Sequence, residues 1–289
     1  MNARRRFTIP LSGGRTLVLG ERTLVMGVIN VTPDSFSDGG QLLDPSVAIE
    51  AGVQMAQDGA DLIDIGGEST RPGAAPLDDA EERRRVLPVI DGLVARVQTP
   101  ISIDTYKASI AEAALGAGAA LVNDVSGLRY EPALADVVAR SGAPIVLMHT
   151  RGRSQQMYEQ ASYTDVVGEV LDELRESMAF ATTSGIAAER IILDPGLGFA
   201  KDAAQSCEVL ARFDEFAELG RPLLAGPSRK SFITRAVGAR VPPAERDWAT
   251  AAAVTAAVLA GAHIVRVHAV RQMLQVVRVA DEIRRYHAG

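Results

Sequence analysis

Eight short apolar runs alternate with segments of helical periodicity, and this alternation restricts the fold of the chain more than any other feature. The runs are TLVMGVI, DLIDI, PISI, ALVNDV, PIVLM, RIIL, RPLLA and HIVRV. They are apolar throughout, which is typical of strands that are buried on both faces. The predicted helices span residues 46–58, 78–95, 107–117, 131–140, 164–183, 202–217, 229–237 with 244–260, and 270–286.

Eight strand–helix units within roughly 250 residues predict a single closed parallel barrel of the (β/α)₈ TIM type, in the α/β class. Gly-Ala pairs just before several strands support this, since glycine often ends a helix; they begin at Gly59, Gly118, Gly142 and Gly261. An open doubly wound sheet is the alternative, but no Gly-x-Gly-x-x-Gly turn follows the first strand. Residues 1–23 are expected to form a hairpin that caps the bottom of the barrel. Residues 24–289 form the barrel, in one domain overall.

Composition limits the class of partner. The chain has 289 residues, of which 47% are hydrophobic, and it carries 30 Lys and Arg against 36 Asp and Glu. The acidic balance argues against nucleic acid or an anionic membrane as the main partner. With no apolar run of about 18 residues and no signal-peptide core, a cytoplasmic protein that acts on small molecules is expected. The single cysteine, Cys207, is predicted to be a packing residue.

Polar residues follow every apolar run. In chain order they are Asn30; Glu68; Asp104; Asn123 and Asp124; His149; Asp194; Ser228, Arg229 and Lys230; and Arg266 and His268. Any one of them taken alone is better explained as a strand-end cap or a hydrogen-bonded turn residue, but parallel strands of a barrel carry their chemistry at this end. Together they predict a ring that hydrogen-bonds the edge of a flat, nitrogen-rich heterocycle, and the last two suit an anion.

Three loops at the same end exceed the usual length and are predicted to act as lids. They are NVTPDSFSDGGQLLD, GGESTRPGAAPLDDA and HTRGRSQQMYEQASYT, and their apolar or cationic anchors are Phe36; Arg71 and Pro72; and Met157 and Tyr158. After the seventh strand, GPSRKSFI predicts a helix whose first N–H groups, together with Ser231, bind an anion.

Seven ordered motifs carry a resemblance: NVTPDSFSDGG, GGESTRPGA, SIDTYK, NDVSG, LDPGLGFAK, GPSRKSF and RVH. Over about residues 24 to 286 the chain resembles the dihydropteroate synthase family. The resemblance implies a pterin-binding (β/α)₈ barrel, usually a homodimer, and a transferase of folate biosynthesis. That enzyme joins 6-hydroxymethyl-7,8-dihydropterin diphosphate to p-aminobenzoate, releases diphosphate, requires Mg²⁺ and is a target of sulfonamides. Two departures are Ala269 in RVHAV, where the family commonly has Asp, and Thr234 in FITRAVG, where it often has Gly.

The resemblance also implies roles for individual residues. The catalytic residues would be Asp104, Lys230, Arg71 and Phe36. The pterin would be held by Asp104, Asn123, Val125, Met148, Asp194, Gly226 and Lys230. The diphosphate would be held by Asn30, Thr70, Arg266 and His268, with Asn30 also binding the metal. The p-aminobenzoate pocket would comprise Phe36, Thr70, Arg71, Pro72, Gly198, Phe199, Lys230 and Ser231.

The residue chemistry fits such a reaction. Loss of diphosphate leaves a cationic methylene on the pterin, which Asp104 and Asp194 would favour, and an aryl amine needs no base to attack it. His149 and His268 are accordingly predicted to have structural or anion-binding roles. Two alternatives remain open: a pterin-binding methyltetrahydrofolate methyltransferase barrel, and a catalytically silent paralogue that binds pterin.

Overall fold

The computed structural model describes residues 4–11, 14–32, 44–70, 73–159, 161–238 and 241–287. Within these ranges the strands are β1 (Phe7–Pro10), β2 (Thr16–Leu19), β3 (Leu24–Asn30), β4 (Leu62–Gly66), β5 (Ile101–Asp104), β6 (Leu121–Asp124), β7 (Ile145–Met148), β8 (Ile191–Asp194), β9 (Leu224–Ala225) and β10 (Ile264–Val267). The α-helices are α1 (Pro45–Gln57), α2 (Asp79–Val94), α3 (Ala108–Gly116), α4 (Leu134–Ser141), α5 (Val166–Thr183), α6 (Ala203–Ala211), α7 (Thr234–Val237), α8 (Asp247–Leu259) and α9 (Val270–His287).

Strands β3 to β10 form one parallel sheet in the order β8-β7-β6-β5-β4-β3-β10-β9. A parallel bridge between Leu193 and Leu223 joins β8 to the start of β9, with the Leu193 N–H 2.9 Å from the Pro222 carbonyl. This bridge brings the two ends of the sheet together. The predicted (β/α)₈ barrel is therefore confirmed, and each of the eight apolar runs overlaps one of its strands.

The antiparallel pair β1 and β2 lies across the N-terminal end of the barrel. Its side chains Ile9, Leu11, Leu17 and Leu19 are buried. They pack in one cluster with residues near the beginnings of the barrel strands, namely Leu24, Met26, Leu62, Leu121, Ile192, Leu224 and Ile264. Burial of each such side chain is worth about 1.5–3 kcal/mol. The predicted hairpin thus covers the bottom of the barrel and leaves the opposite end for the site; its boundary at residue 23 stays a prediction.

Two local predictions are wrong. The helix expected over residues 229–237 is replaced by a 3₁₀ turn at Ser231–Ile233 and the single turn α7. Arg229 has a φ of 59°, which lies outside the right-handed helical region and prevents a helix from beginning there. Cys207, expected to pack inside, is exposed, because α6 turns Ser206 and Val209 toward the core instead. Among the described residues, no helix is both long enough and apolar enough to cross a membrane.

Candidate active site

The register of the barrel brings the predicted polar residues side by side. Asn30 is paired with Gly66 across β3 and β4, Gly66 with Asp104 across β4 and β5, and Asp104 with Asn123 across β5 and β6. Asp194 is paired with Met148 in the same way across β7 and β8. Because the strands are parallel, these residues all lie at the C-terminal rim.

Arg266 organises the centre of this rim. Its Nε lies 2.6 Å from Asp64 Oδ2, and its Nη2 lies 2.6 Å from Asp104 Oδ2. Asn123 Nδ2 donates to the same Asp64 oxygen at 2.9 Å. The guanidinium therefore bridges two carboxylates and, through Asp64, fixes the orientation of the amide.

Sequence reasoning missed Asp64. The residue is fully buried in the middle of β4, and its second oxygen, Oδ1, has no hydrogen-bond partner. The sequence did contain a signal for it, because Asp64 is a carboxylate inside the apolar run DLIDI. A buried charge needs a partner, so this residue could have been predicted to pair with a polar group from another strand. Here the partners are Arg266 and Asn123, from β10 and β6.

Burial beside Arg266 and Asp64 changes the protonation of Asp104. Burial raises the pKa of Asp104 to about 7, Arg266 opposes the rise, and the charge of Asp64 adds to it. Asp104 thus sits near the point where it is half ionised at neutral pH. A ligand that presents N–H donors or positive charge would favour its ionised form.

Asp194 and Lys230 form the second polar part of the rim. Asp194 Oδ1 accepts the Gly196 N–H at 2.8 Å; burial raises the pKa of its carboxyl and the charge of Lys230 opposes this. Lys230 Nζ donates to the Leu197 carbonyl at 2.6 Å and lies 3.9 Å from the centre of the Phe199 ring. Burial lowers the pKa of Lys230 to about 7, so this amine also titrates near neutrality.

An apolar wall stands beside these polar groups. Val125, Met148 and Tyr106 form a buried cluster against which Tyr130 and Phe199 pack. Tyr106 and Tyr130, which the sequence analysis did not single out, meet edge to face with ring centroids 5.2 Å apart. Gly226, predicted to contact the pterin, lies so that an added Cβ would be 3.9 Å from Asp194 Oδ2. A flat heterocycle is suited to such a slot, with polar groups at its edge and apolar groups at its face.

Apart from Arg266, the described residues predicted for the diphosphate and p-aminobenzoate line a neighbouring cleft of about 840 Å³. Its walls include Asn30, Thr70, Gly198, Phe199, Lys230, Ser231 and His268. His268 Nδ1 lies 2.9 Å from the Ser228 hydroxyl, which also accepts the His268 backbone N–H at 3.2 Å. If the hydroxyl donates to Nδ1, the imidazole carries its proton on Nε2 as a donor for an anion.

The loop between β7 and α5 borders the site, and its action as a lid stays a prediction. Met157 is buried, whereas the Tyr158 hydroxyl is 3.5 Å from the Ser231 hydroxyl. The Gly73 N–H donates to the Ser154 carbonyl at 2.9 Å, so this loop also contacts the loop that follows β4. Phe36, Arg71 and Pro72, the anchors predicted for the other two lids, lie outside the described residues.

Lys107, in the motif SIDTYK, supports the loop after β4 and was not assigned a role from the sequence. Its Nζ lies 2.8 Å from Glu68 Oε2 and 2.6 Å from Glu82 Oε2. Burial opposes the ammonium form, but the hydrogen bonds to Glu68 and Glu82 raise the pKa of Lys107. This ion cluster fixes the base of the loop from which Thr70 reaches the cleft.

A parallel barrel with a carboxylate, amide and lysine edge beside an apolar wall defines the pterin-binding class of barrel enzymes. Residues 26–268 match the family described as pterin binding enzyme. Dihydropteroate synthase of Synechocystis is 47% identical over 96% of this chain and 96% of its own. The chain belongs to the dihydropteroate synthase family.

Comparison with solved structures leads to the same family. Xanthomonas albilineans dihydropteroate synthase with 4-aminobenzoic acid has a TM-score of 0.88 at 43% identity, over 96% of this chain and 98% of its own. The Yersinia pestis enzyme in a sulfonamide drug complex has a TM-score of 0.90 at 37% identity, over 96% and 100%. The protein is a transferase of folate biosynthesis that condenses 6-hydroxymethyl-7,8-dihydropterin diphosphate with p-aminobenzoate to 7,8-dihydropteroate and diphosphate. The methyltransferase alternative is therefore not favoured.

Proposed function

We propose that the rim residues bind the pterin by its nitrogen-bearing edge. Asp104 and Asp194 would accept from the ring N–H and amino groups, and Asn123 and Lys230 would contact the remaining polar atoms. The observation that carries this assignment is the bridge from Arg266 to both Asp104 and Asp64. It holds this polar edge in a single arrangement. Val125 and Met148 would contact the face of the ring.

We propose that the reaction proceeds by departure of diphosphate, followed by attack of the aryl amine on the cationic methylene. The ionised forms of Asp104 and Asp194 would stabilise the cation, since fixed charges act strongly in a site that excludes water. The described part of the site contains no Ser-His-Asp-like arrangement around His149, whose ring nitrogens contact Lys201 and Glu173. This fits a reaction in which the nucleophile needs no general base.

Asn30, Thr70, Arg266 and His268 would bind the diphosphate. Among the described residues, no cluster of three or more His, Cys, Asp or Glu side chains is arranged to hold a metal. Mg²⁺ characteristically keeps several waters and binds through substrate phosphates with few protein ligands. The amide oxygen of Asn30, at the rim beside the cleft, suits that mode as a hard oxygen ligand. When bound, Mg²⁺ would neutralise charge on the leaving diphosphate.

The p-aminobenzoate would lie in the cleft between the loops after β8 and β9. Lys230 and Ser231 would meet its carboxylate, Phe199 would contact its ring, and Gly198 leaves room because a Cβ there would be 3.1 Å from Lys230 Cδ. Thr70, Phe36, Arg71 and Pro72 would complete the pocket. Sulfonamides, as bound in the Yersinia pestis relative, would compete for this place.

Diphosphate release that depends on both p-aminobenzoate and added Mg²⁺ tests the catalytic assignment. We expect release over repeated turnovers, together with 7,8-dihydropteroate, only when the pterin diphosphate, the amine and the metal are all present. A silent paralogue would bind the pterin without release. Repeated release that does not depend on the amine and forms no 7,8-dihydropteroate would contradict the condensation.

We also propose that the chain acts as a homodimer in the cytoplasm. An exposed stripe on α9 supports the dimer: Val279, Ile283 and Tyr286 are 62%, 44% and 84% exposed and follow one another at helical spacing. Sedimentation at micromolar concentration should give twice the 30.6 kDa of the chain, and Val279→Glu with Ile283→Lys should give the monomer. The cytoplasmic location would be tested by cell fractionation.

A further inference from the structure

Lys201 is a buried lysine that the proposed reaction does not use. It is 1% exposed, and it lies on the loop that connects β8 to α6. Its Nζ is 2.8 Å from His149 Nδ1, 3.1 Å from the Phe199 carbonyl and 3.2 Å from the Gly196 carbonyl. Burial lowers the pKa of Lys201 well below its usual value, and the charges of Asp194 and Glu173 oppose this. The three acceptors nevertheless match the three N–H bonds of the ammonium form. A neutral amine would turn its lone pair toward one of them.

His149 connects Lys201 to α5. The second ring nitrogen, Nε2, lies 3.1 Å from Glu173 Oε2, and Glu173 also accepts from Arg151 Nε at 2.7 Å. Burial and the charge of Lys201 lower the pKa of His149 to about 3, so the ring is neutral. Its Nδ1 therefore accepts from Lys201 while its Nε2–H donates to Glu173, and the ring is held from both sides.

The loop that Lys201 holds has an unfavourable backbone. Gly196, Gly198 and Ala200 have φ values of 72°, 75° and 47°. An added Cβ at Gly196 would lie 2.0 Å from the His149 carbonyl oxygen, so only glycine fits there. A left-handed backbone is sterically unfavourable for alanine. The hydrogen bonds of Lys201 to two carbonyls of this loop offset part of that cost, as does the Tyr163 hydroxyl, 2.9 Å from the Ala200 carbonyl.

The same loop touches both members of the second polar pair. The Gly196 N–H donates to Asp194 Oδ1 at 2.8 Å. The Leu197 carbonyl accepts from Lys230 Nζ at 2.6 Å, and the Phe199 ring lies against that ammonium group. A shift of the loop would therefore move the hydrogen-bond partners of both Asp194 and Lys230.

We propose that Lys201, held by His149, is a positioning residue that fixes the 196–201 loop and acts through it and through its charge on Asp194 and Lys230. This inference rests on the pterin-binding role proposed above for Asp194.

Charges from several elements act on this group. Lys201 faces Asp194 at the end of β8, Lys230 after β9, Glu173 on α5 and Arg151 after β7. Asp194 is subject to Arg266 on β10 as well. Burial raises the pKa of Asp194; Lys230, the Gly196 N–H, Lys201 and Arg266 lower it. Removing the charge of Lys201 thus moves the pKa of Asp194 further upward.

Lys201→Met tests the proposal, because methionine fills similar space without charge or donors. Calorimetry would measure the binding of 6-hydroxymethyl-7,8-dihydropterin, which needs no metal, from about pH 5 to about pH 8. In the wild type, affinity should fall at low pH as Asp194 becomes protonated. We expect this fall to occur about one pH unit higher in Lys201→Met, with a loss of affinity of about tenfold where the two curves differ most. A purely structural lysine would change the melting temperature and leave the position of that limb unmoved.

Two variants of His149 form a matched pair that does not depend on the folding of the methionine variant. Asparagine places its oxygen near the position of Nδ1 and can still accept from Lys201, whereas glutamine reaches the position of Nε2 and the Glu173 side. We expect His149→Asn to stay within about threefold of the wild-type affinity, and His149→Gln to weaken binding about tenfold. Equal affinities for the two would overturn the proposal.

Asp194→Asn separates the positioning role of Lys201 from the pterin-binding role proposed for Asp194. If Asp194→Asn weakens pterin binding while Lys201→Met leaves both affinity and pH profile unchanged, the role of Lys201 is refuted and the role of Asp194 stands. If Asp194→Asn binds pterin normally, both are refuted. Weak binding by Asp194→Asn together with a shifted profile in Lys201→Met supports both.

Discussion

The guanidinium of Arg266 lies 2.6 Å from the carboxylate of Asp104 through Nη2, while its Nε lies 2.6 Å from Asp64. A residue whose only partner was the leaving diphosphate would not hold Asp104 of the pterin edge together with Asp64, the carboxylate that orients Asn123. Arg266 therefore belongs to both parts of the site. Its removal would leave buried carboxylates without a counter-charge, so it does not report on diphosphate binding alone.

His268 is the cleaner probe of the diphosphate site. His268→Ala should weaken pterin diphosphate by about 1.5–3 kcal/mol, the value of one hydrogen bond to a charged group, and leave pterin without diphosphate nearly unchanged. Arg266→Ala should weaken both ligands. Calorimetry with the two ligands decides this, with the exposed Arg271→Ala as control. Equal weakening of both ligands by His268→Ala would contradict its assignment.

Asp104→Asn should lower kcat more than it raises KM. The amide keeps the shape but loses the charge that would stabilise the cation, a contribution of about 3–4 kcal/mol or on the order of 10²–10³ in rate. Folding should survive, because Arg266 keeps Asp64 as a partner. The kcat, the pterin Kd and the thermal midpoint would be measured on one preparation. Near-normal kcat in folded protein would refute the cation-stabilising role.

The same carboxyl should affect how stability depends on pH. The pKa of Asp104 is raised from 3.8 to about 7 in the folded protein, so the folded state binds its proton more tightly than the unfolded state. Its contribution to stability is complete below about pH 4 and is lost as pH rises through about 7. Asp104→Asn should flatten the fall in the free energy of unfolding over this window. Urea titrations at several pH values across this window would measure the free energy of unfolding, with the exposed Asp136→Asn as control. If the prediction is wrong, Asp104→Asn will leave the slope of that free energy against pH unchanged.

Phe36 should act on the second substrate alone. If its loop covers p-aminobenzoate, Phe36→Ala leaves the affinity for pterin diphosphate nearly intact while raising KM for p-aminobenzoate or lowering kcat. Calorimetry and steady-state kinetics on the same variant test this. A large loss of pterin diphosphate affinity would place Phe36 in the first pocket instead.

Ala269 offers a test of stability outside the chemistry. The Met273 N–H donates to the Ala269 carbonyl at 3.0 Å, so Ala269 occupies the capping position of α9 without a side-chain acceptor. Ala269→Asn should add about 1 kcal/mol, or about 2 °C in thermal midpoint, by capping the first turn. Ala269→Leu, which cannot cap, is the matched control. The same gain in both variants would rule out capping as the cause.

The barrel and the membership of its polar rim follow from the sequence by itself. The eightfold alternation of apolar runs and helices fits a closed parallel barrel, and such a barrel gathers the residues after each strand at one end. Asn30, Asp104, Asn123, Asp194 and Lys230 could therefore be selected without coordinates. Local periodicity was sufficient to predict these elements, because the buried face of a strand or helix is set by residues that are close together in the chain.

Only the tertiary structure decided how these groups are paired. Arg266 meets Asp64 across a separation of 202 residues, and Lys201 meets His149 across 52. Neither Asp64, inside an apolar run, nor Lys201, at the end of a loop, has a local pattern that reveals its partner. Pairing of buried charges depends on distances of a few ångströms between separate elements, because electrostatic interactions strengthen steeply as water is excluded. Those distances are set by how the barrel closes.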